Sequence, residues 1–334
     1  MNEPILMSLC FEQMPPEMYV NMVLDSTPPF STSMFKFDES NLVDFVSTGV
    51  TAHDQFTASL DSDPAVLTFN NFTVNAGHTV TTTNRCKGLY LNILGDLVVN
   101  GTLSMTARGA NAIGQYVIID QKYKKVYYCD TLSAEFDYSK FTVINKVGGA
   151  AVLTTRGTAN PGVNGACGSG GCGYCEWPVK PMGLGAAGTS FSGGAGGGSK
   201  IGRGSEVSGS GGANGGAGGR GITNDGTYSA GGGAGNPGGG TNVGSAGSSG
   251  TGGLMILFVR GNVIFGANGS IQSNGSRGGN SYGSGGGSGG GAIHLFHRGT
   301  INTPSKITAT GGAAGSGTGT GTSGGAGTVN IVLF

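Results

Sequence analysis

The stretch GLYLNILGDLVVNGTLSMTARGAN, residues 88–111, decides the fold because the chain repeats it. Related sequences are GLMILFVRGNVIFGANGSIQSNGSRGGN at 253–280, GAIHLFHRGTINTPSKITATGGAAG at 291–315 and the shorter GTVNIVLF at 327–334. In each copy, apolar residues alternate with other residues over short runs, and Gly or Asn separates the runs, as in β-strands joined by turns. An internal repeat of this kind indicates a stacked architecture.

Aligning the copies on Gly95, Gly261 and Gly299 places apolar residues in common columns. The columns predicted for the first strand are Leu89/Met255/Ile293, Leu91/Leu257/Leu295 and Ile93/Val259/His297. One copy cannot bury its apolar face alone, but stacked copies give each strand a parallel neighbour and enclose a common interior. The sequence therefore predicts an all-β fold: a short β-solenoid, or β-helix-like stack, with long glycine-rich loops and an irregular N-terminal anchor.

Glycine accounts for 70 of the 334 residues and charged residues for only 11%, which is typical of fibrous chains and rare in compact enzymes. Nearly all of these glycines follow residue 147. Glycine loses more conformational entropy on ordering than any other residue, which favours flexible loops. The alternative is that the runs adopt polyproline II helices and exchange hydrogen bonds with their neighbours. The sequence leaves both open.

Composition divides the chain into five segments. They are an acidic N-terminal attachment or oligomerisation arm (1–64), a cap and first β rung (65–111), a tyrosine-rich hairpin insertion (112–147), a glycine-rich loop region (148–252) and further β rungs with glycine-rich loops (253–334).

The N-terminal arm is strongly acidic although the whole chain has a net charge of zero. It carries ten acids against the single base Lys36, so we expect it to dock on a basic surface of its own chain or of a neighbour. Within the arm, Asp38 or Ser40 is expected to cap a helix through Leu42, Phe45 and Val46.

Three cysteines lie close together in the stretch CGSGGCGYC. The spacing of Cys167, Cys172 and Cys175 matches the first three ligands of a plant-type iron–sulfur site. No cysteine follows Cys175 to supply the fourth ligand, so a zinc site is the next candidate. The alternative is three free or buried thiols, as expected in a reducing cytoplasm. No cofactor is predicted.

The sequence predicts no enzyme. Its four histidines are not accompanied by a nucleophile elbow or a His-Glu-x-x-His helix, and Glu176, Glu206 and Asp225 are the only carboxylates after Tyr138. Its basic residues are scattered singly, unlike a nucleic-acid-binding patch. No run has the roughly 18 to 20 apolar residues of a membrane span, and the first residues do not form a secretory signal.

Four aromatic residues in glycine-rich surroundings are candidate binding residues. They are Tyr174, Trp177, Tyr228 and Tyr282. Aromatic rings of this kind stack on sugars or anchor protein partners. The alternative is that each ring fills a gap between loops.

The stretch FTVNAGHTVTTTNRCKGLYLNILGDLVVNGTLSMTARGAN, followed by glycine-rich tracts and GGGSGGGAIHLFHRG, resembles the glycine-rich β-solenoid virion proteins of tailed bacteriophages, such as tail or head fibres and adhesins. The resemblance covers residues 69–334. It implies a non-enzymatic structural protein, assembled in the host cytoplasm, that attaches to other virion proteins through residues 1–64, forms homo-oligomers and contacts a host-surface glycan or protein. The longer, β-rich rungs and the tyrosine-rich insertion depart from the adhesins.

Two alternatives remain from the sequence. The first is a bacterial extracellular or cell-surface fibre protein. The second is a glycan- or ice-binding module, which a regular threonine ladder would indicate. Residues 317–323, GTGTGTS, are the one sign of such a ladder.

Overall fold

The computed structural model describes residues 31–40, 42–50, 54–177, 182–224 and 226–334. These residues form twenty β-strands and one short 3-10 turn, Pro304–Lys306. Two of the strands, β13 (Lys200–Ile201) and β14 (Ile222–Thr223), form a separate two-stranded parallel sheet. The predicted all-β class is confirmed.

The copies of the repeat run through three parallel sheets in turn. Sheet 1 contains β4 (Ala65–Phe69), β7 (Leu89–Ile93), β15 (Leu254–Val259), β18 (Ala292–His297) and β20 (Val329–Leu333). Sheet 2 contains β2 (Phe45–Val46), β5 (Phe72–Val74), β8 (Leu97–Val99) and β16 (Val263–Phe265). Sheet 3 contains β3 (Gln55–Phe56), β6 (Thr79–Thr82), β9 (Thr102–Ser104), β17 (Ser270–Gln272) and β19 (Ile307–Thr308).

The strands pair in the register that the repeat alignment predicts. Leu257 lies beside Leu91 on one side and Leu295 on the other. All three side chains are completely buried in one apolar core. Because side chains alternate across a strand, the residues between them point to the outer faces of the sheets.

Asp and Asn side chains connect successive copies at the turn between sheets 1 and 2. The backbone N–H of Asn71 donates to Asp44 Oδ1 (3.0 Å). In the same way, the N–H of Asn262 donates to Asp96 Oδ1 (2.7 Å) and that of Thr300 to Asn262 Oδ1 (2.9 Å). Each side chain thus satisfies a backbone donor of the neighbouring copy, which fixes the stacking at the turns.

Residues 42–56, which the sequence analysis assigned to the arm, include the outermost strands of sheets 2 and 3. The predicted helix is wrong, because Phe45–Val46 is a strand in parallel pairing with β5. The Phe45 ring stacks on Phe72 with their centroids 4.4 Å apart. Burial of this ring at the end of the apolar core outweighs the local helix signal.

An antiparallel sheet covers the outer face of sheet 1. Its strand order is β1 (Ser31–Lys36), β11 (Lys125–Cys129), β10 (Tyr116–Asp120) and β12 (Thr142–Ile144). The hydroxyls of Tyr90 in sheet 1 and Tyr128 in this layer lie 2.6 Å apart in a second apolar core. Complete burial raises the pKa of both phenols, so each hydroxyl keeps its proton and the pair shares a hydrogen bond.

Acids of the predicted arm pair with bases of the same chain. Arg85 Nε lies 2.6 Å from Asp61 Oδ1, and Lys124 Nζ lies 2.8 Å from Glu39 Oε1. The hydrogen bond from Lys124 lowers the pKa of the Glu39 carboxyl. The charge pattern allowed the acids to dock on a basic surface of the same chain or of a neighbour. These two acids bind bases of the same chain. Residues 1–30 of the arm lie outside the described residues.

The glycine-rich runs pack into a bundle whose hydrogen bonds recur every third residue. One series of N–H donors along 284–293 bonds to a single neighbouring run: Ser284 to Gly319 (2.8 Å), Gly287 to Thr322 (3.0 Å), Gly290 to Gly325 (3.0 Å) and Ile293 to Thr328 (2.8 Å). A second series bonds to another run: Gly285 to Gly279 (3.0 Å), Ser288 to Ser276 (3.0 Å) and Gly291 to Ser273 (2.8 Å).

Glycine is required in these runs by close backbone approach. A Cβ on Gly286 would overlap the carbonyl oxygen of Gly171, and one on Gly289 that of Gly168. The central run, 284–292, is buried throughout. The flexible-loop alternative is therefore wrong for this run, because its backbone groups are paired and enclosed by other runs.

Candidate binding site

Three of the four aromatic residues selected from the sequence, Tyr174, Tyr228 and Tyr282, lie together where several glycine-rich runs turn, and Trp177 follows Tyr174 three residues along the chain. The rings of Tyr228 and Tyr282 stack with centroids 4.2 Å apart and planes inclined by 30°. Tyr174 lies near Tyr282, and its pKa is raised by burial and then by the negative charge of Glu176. We call this site the aromatic end; it comprises Tyr174, Trp177, Tyr228 and Tyr282 together with Arg156 and Arg203.

Backbone hydrogen bonds between the runs position two of the rings. The N–H of Tyr174 donates to the carbonyl of Ser284 (3.1 Å), and the N–H of Gly319 donates to the carbonyl of Tyr282 (2.6 Å). A Cβ on Gly319 would lie 2.6 Å from carbons of the Tyr174 ring. Glycine at this position therefore lets the ring lie directly against the neighbouring backbone.

Two arginines enclose Trp177. The guanidinium carbon of Arg156 lies 3.7 Å from the centre of the indole and that of Arg203 lies 4.4 Å from it. Both guanidinium groups lie within the distance of a cation–π contact with the indole. The two guanidinium groups occupy ring surface of Trp177 that a sugar would otherwise contact. The guanidinium groups of Arg156 and Arg203 bring two sets of hydrogen-bond donors to this site.

Nothing in the sequence pattern marks Arg156 or Arg203 as a binding residue. Each is an isolated base in a polar or glycine-rich stretch, and an isolated base carries no pattern that separates a ligand contact from a solvated side chain. Only the folding of three separated stretches around Trp177 brings the two guanidinium groups together. The sequence indicated this site only through Trp177, an aromatic residue in a glycine-rich stretch.

The three cysteines of the predicted metal site do not converge on one point. In the described part of the chain, no group of three or more Cys, His, Asp or Glu side chains is placed to hold a metal ion. The structure therefore does not support a metal site at these positions. Each sulfur has a different neighbour: Ser190 O for Cys167 (3.7 Å), Val152 O for Cys172 (3.6 Å) and Ser208 Oγ for Cys175 (3.8 Å).

We expect these thiols to be unreactive in the folded protein. Burial raises the pKa of Cys167 and Cys172, and it raises that of Cys175 to about 11, so little thiolate is present at mildly alkaline pH. With Cys10 replaced by Ser, a chromogenic disulfide reagent should label none of the five described cysteines until denaturant is added. Rapid labelling of any of them in the native protein would contradict this packing.

Ser47, His78 and Asp54 form a polar cluster that the sequence analysis did not identify. Ser47 Oγ lies 2.8 Å from His78 Nδ1, and Asp54 Oδ2 lies 3.9 Å from the same nitrogen. A catalytic triad uses both imidazole nitrogens, one for the acid and one for the nucleophile. Here Ser47 is buried, and its Oγ accepts the backbone N–H of Asn75 (2.8 Å). The cluster therefore ties two turns together.

Among the residues that the structure describes, no helix is long and apolar enough to cross a membrane. Comparison of the chain with protein-family models, curated proteins and solved structures finds no match. The proposed function therefore rests on the repeat, the fold and the aromatic end.

Proposed function

We propose that this protein is a non-enzymatic virion structural protein of a tailed phage, a tail or head fibre or a decoration protein, and that its aromatic end adheres to the host surface. The observation that carries the proposal is the convergence of three tyrosines from separate stretches, Tyr174, Tyr228 and Tyr282, at the turns of a tightly packed glycine-rich bundle, with Trp177 and its two arginines on the same run as Tyr174. Residues 1–64 attach the protein to other virion proteins, and the protein assembles into homo-oligomers.

At the finer level we propose a short β-solenoid whose glycine-rich excursions adopt polyproline II helices. The solenoid is supported by the order in which the copies run through three parallel sheets. The polyproline II conformation is supported by the hydrogen bonds that recur every third residue, because this helix has three residues per turn. A rigid bundle of such helices holds the aromatic end in place without a large apolar core of its own.

The chemistry of the aromatic end suits a glycan or a protein loop. Tyr228 and Tyr282 supply stacked ring surface with hydroxyls at the edge, which contacts the apolar faces of sugars and hydrogen-bonds their hydroxyls. Arg156 and Arg203, held on the indole, supply donors for acceptor oxygens. Ordering the rings before binding lowers the entropy cost of association.

The burial of potentially reactive side chains elsewhere in the protein supports a binding role over a catalytic one. The His294 imidazole is buried, and burial lowers its pKa to about 4, so it stays neutral near neutral pH and out of reach of solvent. The thiols of Cys167 and Cys172 are buried with raised pKa values. A nucleophile or general base needs access to a substrate as well as a suitable pKa.

The virion location is tested on particles purified by density gradient from the cells that produce this chain. We expect mass spectrometry to find the chain in these particles at a fixed ratio to the major capsid protein. Its recovery in the cell-envelope or medium fraction without particles would support the alternative, an extracellular or cell-surface fibre protein.

The adhesion role is tested by replacing Tyr228 with alanine in the full chain. Tyr228 is 41% exposed and Tyr123, in the insertion, is 38% exposed, so Tyr123→Ala is a matched control. We expect Tyr228→Ala to weaken binding to host envelopes by about tenfold or more, the loss of a binding hot spot, and Tyr123→Ala to leave binding unchanged. Equal binding by both variants would exclude the aromatic end as the adhesion site.

A glycan- or ice-binding role has one supporting observation. On sheet 3, Thr79, Thr102 and Ser270 lie side by side in register, which places hydroxyls on three successive strands. On the next strand, β19, Ile307 pairs with Ile271, so the residue beside Ser270 is Lys306 and carries no hydroxyl. The row is therefore too short for a regular hydroxyl array, and the aromatic end is the better-supported binding site.

A further inference from the structure

The two ends of the stack have complementary steps. At one end sheet 1 extends to β20, whereas sheet 3 ends one copy earlier at β19 in the described residues. At the other end, the described part of sheet 1 ends at β4, whereas sheets 2 and 3 each continue by one further strand, β2 and β3. The strand that protrudes at the first end therefore matches the position left open at the second.

Strand β20 presents unpaired backbone groups on its outer edge. The carbonyl of Thr328 accepts from Ile293 (2.8 Å), and the N–H of Phe334 donates to His297 (3.0 Å). Even-numbered residues of β20 thus face β18, and alternation turns the N–H and C=O groups of the odd-numbered residues outward. No strand among the described residues pairs with this edge.

Strand β4 has the corresponding edge at the other end. The N–H of Ala65 donates to the carbonyl of Gly88 (3.0 Å), and the carbonyl of Phe69 accepts from Leu94 (3.0 Å). The odd-numbered residues of β4 therefore face β7, and the N–H and C=O groups of Val66 and Thr68 point away from the stack. No described strand pairs with them either.

The β20 end also exposes apolar surface. Val329 and Leu333 continue the inward-facing columns of sheet 1, yet Leu333 is 69% exposed. Exposed edge strands normally avoid pairing by carrying charged side chains or proline. Residues 326–334 contain neither a charged side chain nor a proline. This edge is therefore suited to pairing with another strand.

The charges of the two ends are opposite. Residues 226–334 contain no Asp or Glu, and Arg298 and Lys306 lie beside the strands of the β20 end. At the other end, Asp61 and Glu39 are paired with Arg85 and Lys124, but Asp44, directly before β2, adds a negative charge with no ion pair among the described residues. Opposite ends therefore attract each other, and two β20 ends repel.

We propose that copies of this chain bind head to tail. β20 of one copy adds to β4 of the next, and β2 and β3 of that next copy continue sheets 2 and 3. The contact is heterologous and keeps all strands of a sheet parallel, so it repeats as an open series of copies. This inference does not depend on the aromatic end, and it suits a fibre on a virion as well as one on a cell surface.

The first test is analytical ultracentrifugation of the full chain over a concentration series. We expect the average mass to rise without reaching a plateau at two copies, and to fall as salt screens the end charges. Leu333→Lys, which places a charge on the docking edge, should reduce the mass to one copy. Ile264→Lys, the same type of change at an outward-facing residue of sheet 2 that is 38% exposed, should leave assembly unchanged.

The second test combines variants blocked at opposite ends. Thr68→Pro removes an N–H that faces outward from the β4 edge, where proline is tolerated in an edge strand. We expect Thr68→Pro and Leu333→Lys each to sediment as one copy, and their mixture to form pairs and no larger species. Thermal unfolding checks that both variants fold. Wild-type protein that stays at one copy, or that stops at two, would overturn the head-to-tail contact.

Discussion

Replacing Gly289 with alanine is expected to destabilise the folded protein by about 3 kcal/mol, the upper part of the range for an overfilled interior. The added methyl group would overlap the carbonyl oxygen of Gly168. The surrounding groups are backbone already engaged in hydrogen bonds, since the Gly289 N–H donates to Gly194 (2.8 Å) and its carbonyl accepts from Gly252 (3.1 Å). Neither side can move without breaking bonds of other runs. Thermal or denaturant unfolding measures the loss.

The matched control is Gly240→Ala. It makes the same chemical change in a similar glycine-rich run, but a Cβ on Gly240 meets no atom within 4 Å. We expect this variant to be as stable as the wild type or up to about 1 kcal/mol more stable, because alanine restricts the unfolded chain. Equal effects of the two substitutions would mean that the runs do not pack as described.

Leu257→Ala is expected to lower the free energy of unfolding by about 3 to 5 kcal/mol, as for other fully buried leucines. Leu257 occupies the middle of the column with Leu91 and Leu295, so its loss leaves a cavity bordered by strands on both sides. Since rigid paired strands collapse poorly into a cavity, the penalty should fall near the upper end. Chemical denaturation of the purified variant gives the value.

Ile264→Ala is the control for the inward and outward alternation of the strands. Ile264 lies in β16, the next strand along the chain, but it points outward. We expect its replacement to change stability by less than about 1 kcal/mol. A larger effect at Ile264 than at Leu257 would reverse the assignment of the two faces.

The sequence predicted the columns of the parallel sheets because each rests on a local pattern that the chain repeats. Alternation identified Leu91, Leu257 and Leu295 as one inward-facing set, and the structure places them side by side. Residues 42–56 escaped this reasoning because their strands contain only two residues each. Two residues are too few to show a period, and the nearby polar residues resembled a helix cap.

The packing of the glycine-rich bundle was not predictable for a different reason. Its runs are held by backbone hydrogen bonds between segments far apart in the chain, such as Gly168 to Gly290 (2.9 Å). Glycine has no side chain to record which neighbour it meets, so the sequence carries no register information in these runs. The same composition is compatible with a flexible chain.

The sequence indicated which aromatic residues form the aromatic end, but it did not indicate how they are arranged. Tyr228 and Tyr282 were selected because aromatic residues are rare in glycine-rich stretches, which is a property of composition. Their stacking, and the enclosure of Trp177 by Arg156 and Arg203, depend on contacts between separate runs. The metal hypothesis rested on cysteine spacing along the chain, which does not determine where buried sulfurs point.

Amide hydrogen exchange across residues 284–291 measures directly whether the glycine-rich bundle is ordered, and the position of the aromatic end depends on that order. These N–H groups are buried and hydrogen-bonded to three different runs, 319–325, 273–279 and 194–197. We expect protection as strong as that of β15 in the parallel sheet, since buried paired amides exchange only through opening of the fold. Exchange at the rate of an unstructured peptide would contradict the ordered bundle and show that these runs are flexible loops.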